Sequence, residues 1–141
     1  MPALLVRADD LKCAFSGEHL WYAEQVNTTI WLVHHAATMD GPFVRAQVEL
    51  ESPPEAMAAW GNRIWVIQSP NFSFSEPRRT LLTGEIHLVS EAVGAYEITP
   101  TGRLDTAAPL PVGGRVAGLL GTAAGPIVLL LPPQWSESGV V

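Results

Sequence analysis

At 141 residues and 48% hydrophobic, the chain has the length of one domain and enough apolar residues to build a core, which excludes a disordered segment. A formal net charge of −6, with a single Lys and one adjacent basic pair at Arg78-Arg79, excludes nucleic acid as a partner and leaves no polybasic membrane signal. With Cys13 as its lone cysteine, the chain cannot form an intrachain disulfide.

The N-terminal stretch through Asp9-Asp10 lacks a charged start followed by a long apolar run, so it does not read as a signal peptide. The most apolar stretch, Val112 to Pro133, is broken by Gly113-Gly114, Arg115, Gly118, Gly121 and Gly125-Pro126 and does not read as a membrane helix. A cytoplasmic location and no membrane partner are the resulting expectations. Twelve Gly and twelve Pro punctuate the chain into short segments rich in branched and aromatic residues. The reading is therefore all-β.

In chain order, Leu4–Arg7 reads as a short strand before the Asp9-Asp10 turn. Leu11-Lys12-Cys13-Ala14-Phe15 is strand-like and makes Cys13 a buried structural thiol. Glu18–Val26 and Thr29–His35 follow, the second apolar on both faces and so in need of cover on both sides. Phe43–Leu50 carries alternating charge and reads as an outer or edge strand. Further strands are predicted at Ala56–Trp60, Arg63–Gln68, Gly84–Glu91, Ala95–Thr99, Arg115–Leu120 and Ile127–Leu131.

A phrase recurs within this series. Gly17-Glu18-His19-Leu20-Trp21-Tyr22-Ala23-Glu24 returns 44 residues later as Gly61-Asn62-Arg63-Ile64-Trp65-Val66-Ile67-Gln68. Ile30-Trp31-Leu32-Val33 likewise matches Ile86-His87-Leu88-Val89 at an offset of 56, which predicts about twelve extra residues within 69–83. Pro53 to Gly61 parallels Gly113 to Gly121 at an offset of 60. Three units result, approximately 11–50, 54–101 and an incomplete 114–132, within one domain. Their strands are 11–16, 18–26, 29–36 and 42–50, then 54–60, 62–69, 81–92 and 95–101, then 114–120 and 126–132.

Consecutive four-stranded antiparallel units of this period resemble β-propeller blades. The resemblance covers roughly residues 4–132 and carries no subfamily signature, having neither a Trp-Asp dipeptide nor an Asp-box. A β-sandwich is the alternative fold. Two and a half blades do not close a ring. The chain therefore reads as a piece of a longer protein, as a homo-oligomer whose copies complete a ring, or as a sandwich; the ending after Pro133 reads as the loop before a missing third strand.

The repeated Trp21 and Trp65, with Trp31, read as packing rather than ligand platforms. His34-His35 is unsuited to chelation because adjacent strand residues face opposite ways. His19, His87, Asp9, Asp10 and Asp40 have no familiar ligand spacing, so no metal or cofactor is expected. No catalytic motif is legible, and the chain reads as a non-catalytic scaffold. Its resemblance to propellers implies a partner-binding rim that would carry residues 70–80 beside Asn27-Thr28, Asp9-Asp10 and Glu51-Ser52. There Asn71, Phe72, Phe74, Arg78 and Arg79 are the binding candidates: the phenylalanines as contact anchors for a protein or peptide, the arginines as partners for carboxylate or phosphate. A propeller enzyme or carbohydrate-binding domain, with its site completed by other blades or subunits, is the other functional class.

Overall fold

The computed structural model describes residues 12–37, 44–71 and 78–132, excepting the side chains of residues 69–71 and 78. It is all-β, and every strand pairing among the described residues is antiparallel. The first sheet runs in chain order through β1 (Cys13–Ser16), β2 (His19–Val26), β3 (Thr29–Ala36) and β4 (Val44–Leu50). The second holds β5 (Pro54–Trp60), β6 (Arg63–Asn71) and β7 (Arg78–Ser90), with β8 (Ala95–Ile98) and β9 (Asp105–Leu110) both paired to β7. The third is the hairpin of β10 (Arg115–Thr122) and β11 (Gly125–Leu131).

Alternation sorts each strand into two faces. Ala14, Trp21, Leu32, Ala46, Val48 and Leu50 turn toward the second sheet and pack there with Met57, Ile64, Val66, Ile86 and Ile98. The opposite face of the second sheet presents Trp65, Ile67 and Leu81 to Val116, Leu119 and Val128 of the hairpin. The three sheets thus stack in sequence order, with Trp21 and Trp65 each pointing into the next sheet. The first and second hairpin turns meet, the Gly61 N–H donating to Ser16 Oγ at 2.6 Å. Gly17 and Gly61 sit in the left-handed region at φ 57° and 59°, so the repeated glycine makes the same tight entry into β2 and β6. β10 in turn passes so close to β5 that a Cβ on Gly121 would lie 2.6 Å from the Ala59 carbonyl oxygen.

The second unit differs from expectation in three ways. Trp65 pairs with Thr83 and Ile67 with Leu81, whereas Trp21 pairs with His34 and Ala23 with Leu32. Register therefore equates Leu32 with Leu81, an offset of 49, and replaces the apparent match to Ile86. Only five residues are added between β6 and β7, and the ladder continues up to the pair Asn71 and Arg78. The remaining additions lie between β7 and its outer partners, where β8 is an extension. Finally, the unit does not stop near residue 101: β9, pairing along 79–83, is the counterpart of β4.

Cys13 is exposed rather than buried, because β1 is an edge strand whose alternation sends Ala14 inward and Cys13 and Phe15 outward. The third sheet has an open outer face. Leu120 (59% exposed), Ile127 (55%), Leu129 (59%) and Leu131 (38%) line one side of it. Register equates Ile127 with Trp65 and Leu129 with Ile67, which the hairpin itself covers in the second sheet.

Candidate functional site

The candidate rim residues divide. Asn71 and Arg78 are backbone partners at the last described pair of the β6–β7 ladder. Phe72 and Phe74 lie outside the described residues. Arg79 is 6% exposed, and its guanidinium is fully engaged within the fold. Nε and Nη2 donate to Glu55 Oε1 at 3.3 and 3.1 Å, and Nη1 donates to the Pro111 carbonyl at 2.9 Å. Both Nη groups also reach the Gly114 carbonyl at 3.4–3.5 Å. Arg79 therefore ties β7 to β5 and to the connection into β10, and is unavailable to a ligand. Beside it, the Gln68 amide oxygen, in the orientation that satisfies both ends of the amide, accepts from the Glu51 and Ser52 backbone N–H groups at 3.2 and 3.3 Å. The root of the hairpin is thus fixed to both connections between sheets.

The histidines take opposite faces of β3. His34 is buried under the second sheet, its Nε2 2.8 Å from His19 Nδ1 and its ring centroid 4.5 Å from that of Trp21. Burial, with smaller contributions from His19 and His35, pushes the His34 pKa down to about 3, so the ring is neutral at pH 7. Desolvation lowers His19 too, against the opposing charge of Glu18. On the other face His35 Nε2 meets Tyr22 Oη at 2.8 Å with the rings stacked, beside the exposed pair of Arg45 and Glu24. Among the described residues no three His, Cys, Asp or Glu side chains gather as a metal site would require. The two buried histidines pack against Trp21 and Tyr22 respectively.

An open polar site lies elsewhere, at the turn from β5 to β6. Trp60 and Arg63 close that ladder as a cross-strand pair and share the face that carries Trp65. The two-stranded hairpin covers only part of this face, and Trp60 is left 51% exposed. A cavity of about 420 Å3 is lined there by Trp60, Asn62, Arg63, Trp65 and the 122–125 turn. The Thr122 hydroxyl shapes the far wall by donating to the Gly125 carbonyl at 2.8 Å and accepting from the Ala124 N–H at 3.1 Å. Arg63 also lines a second cavity of about 230 Å3, with Thr83, Glu85, His87, Thr99 and Asp105. Its Nε is 3.6 Å from Glu85 Oε2, a loose and exposed contact, while Asn62 Nδ2 donates to Glu85 Oε1 at 3.1 Å. The two cavities share Arg63: the larger offers an indole and an amide beside its guanidinium, and the smaller the Glu85 and Asp105 carboxylates.

Sequence reasoning passed over this site because it attends to the constant positions of the repeated phrase. The signal lay at the variable ones, where Glu18-His19 in the first copy becomes Asn62-Arg63 in the second. No helix of the described residues is long and apolar enough to cross a membrane. No protein-family model matches the chain, and no match was found among curated proteins or solved structures.

Proposed function

We propose that the chain is a non-catalytic interaction module of stacked, propeller-type sheets that associates with a second copy of itself through the third sheet. The observation that carries this reading is the open apolar stripe of Leu120, Ile127, Leu129 and Leu131, whose counterparts inside the chain are buried under a following sheet. Such a face repeats, on the outer side of the third sheet, the pattern of the two sheet-to-sheet interfaces the chain already contains. Tyr22, Val33 and His35 on the outer face of the first sheet are already buried, which favours a match other than that face. A two-fold contact between two copies of the same hairpin face satisfies both facts. It differs from a ring completed by head-to-tail copies.

The β6–β7 hairpin is the surface we assign to a protein or peptide partner, and the anchorage of Arg79 at its base to Glu55, Pro111 and Gly114 supports that reading by fixing where the two strands emerge from the stack. Sedimentation equilibrium tests the assembly. Wild type is expected as a dimer and Leu129→Lys as a folded monomer; a wild-type monomer at all concentrations overturns the reading.

A further inference from the structure

We propose that the cleft around Arg63 binds carbohydrate, with a pyranose ring lying flat on the Trp60 indole. A pyranose has an apolar C–H face and a rim of hydroxyls that both donate and accept. The cleft supplies each half of that pattern. Trp60 offers half its surface at the mouth of the larger cavity, in a chain that buries Trp21 and Trp65 completely or nearly so. Arg63 is a donor only, and Glu85 and Asp105 in the adjoining cavity are acceptors when ionised. Asn62, whose Nδ2 is taken by Glu85 and the Ile86 carbonyl, offers its Oδ1 as an acceptor. One cation against two carboxylates disfavours an anion, and a guanidinium at the centre disfavours a cation. The number of polar groups disfavours a flat hydrocarbon.

The repeat strengthens the case that the site is open for a ligand. His19 and His34 occupy, in the first sheet, the registers that Arg63 and Thr83 occupy in the second. In the first pair His34 is buried under a full sheet, its Nε2 2.8 Å from Nδ1 of the half-buried His19. The second pair faces a hairpin whose 122–125 turn walls the cavity at Arg63 but lines none of the cavity at Thr83, so the same position becomes a cleft. Arg63 and Glu85 are only loosely paired at 3.6 Å, which leaves the guanidinium able to turn toward hydroxyls, while Glu85 is held by Asn62 through Oε1. This inference is independent of the assembly proposed above, since the cleft lies at the turn end of the sheets and not on the Leu129 stripe.

The test is a glycan array with the full chain, followed by titration of the best-bound oligosaccharide, read by tryptophan fluorescence and calorimetry. Saturable binding is expected. Trp60→Ala should weaken it about tenfold or more, Arg63→Gln should weaken it as well, and Leu129→Lys should leave it unchanged. Both cleft variants are at exposed positions and should melt as wild type does. An array with no bound glycan overturns the proposal. So does equal binding by Trp60→Ala and Arg63→Gln, or saturation by benzoate with no response to any sugar.

Discussion

Trp21 lies directly opposite His34 across the β2–β3 ladder, with ring centroids 4.5 Å apart and both side chains sealed beneath the second sheet. The indole supplies apolar area to the core, and the imidazole enters the same core as a neutral ring. This pair is buried, while Trp65 and Thr83, the corresponding pair in the second sheet, each line a cavity.

Trp21→Ala should cost about 3–5 kcal/mol in urea unfolding, the usual penalty for deleting a buried tryptophan. Trp60→Ala, at a half-exposed position, should change stability by no more than about 1 kcal/mol. Equal losses would show that position in the stack does not decide the role of each ring.

Stability should fall on acidification through His34. Its pKa in the folded chain is depressed from 6.5 to about 3, so the fold favours the neutral ring. The contribution is complete above the unfolded value and is lost progressively as pH drops from 6.5 toward 3. His34→Leu should flatten the pH dependence of the melting temperature over that window; an unchanged slope would contradict the assignment.

Arg79→Met should destabilise by about 3–5 kcal/mol, because it leaves Glu55 without its cation and the Pro111 and Gly114 carbonyls without their shared donor. Glu55→Met alone should also be costly, and the double variant should recover part of the loss. A double-mutant cycle in urea measures the coupling, and strict additivity would contradict the lock described for this arginine.

Gly121→Ala should separate β10 from β5. The added Cβ would meet the Ala59 carbonyl oxygen at 2.6 Å and the Trp65 ring at 2.9 Å, neither of which can yield without moving the stack. A loss of about 1–3 kcal/mol is expected, while Gly118→Ala, where a Cβ meets nothing within 4 Å, should cost less.

The strand content and the packing role of the repeated tryptophans were legible in the sequence because alternation and bulk report burial directly. β4 was legible for the same reason, with Arg45, Gln47 and Glu49 alternating against Ala46, Val48 and Leu50. The register of β7 was not. An apolar run such as Ile86-His87-Leu88-Val89 resembles Ile30-Trp31-Leu32-Val33 without sharing its pairing, and only the ladder with β6 distinguishes them. β9 was missed because Asp105-Thr106-Ala107-Ala108-Pro109 has poor strand propensity; it is held by β7, with Pro109 tolerated on an outer strand. Of the candidate binding residues, Arg79 could not be distinguished from a surface arginine, since its partners Glu55, Pro111 and Gly114 are remote in sequence. The Arg63 cleft depends on which part of a face the next sheet leaves uncovered, and no local pattern encodes that.

Hydrogen exchange of the wild-type chain at low and high protein concentration tests the central claim most directly, because it reads association and its location together. Amides of residues 125–131 should exchange more slowly at high concentration, and Leu129→Lys should abolish the difference. Identical exchange of this strand at both concentrations, or protection confined to the first sheet, would contradict the assembly through the third.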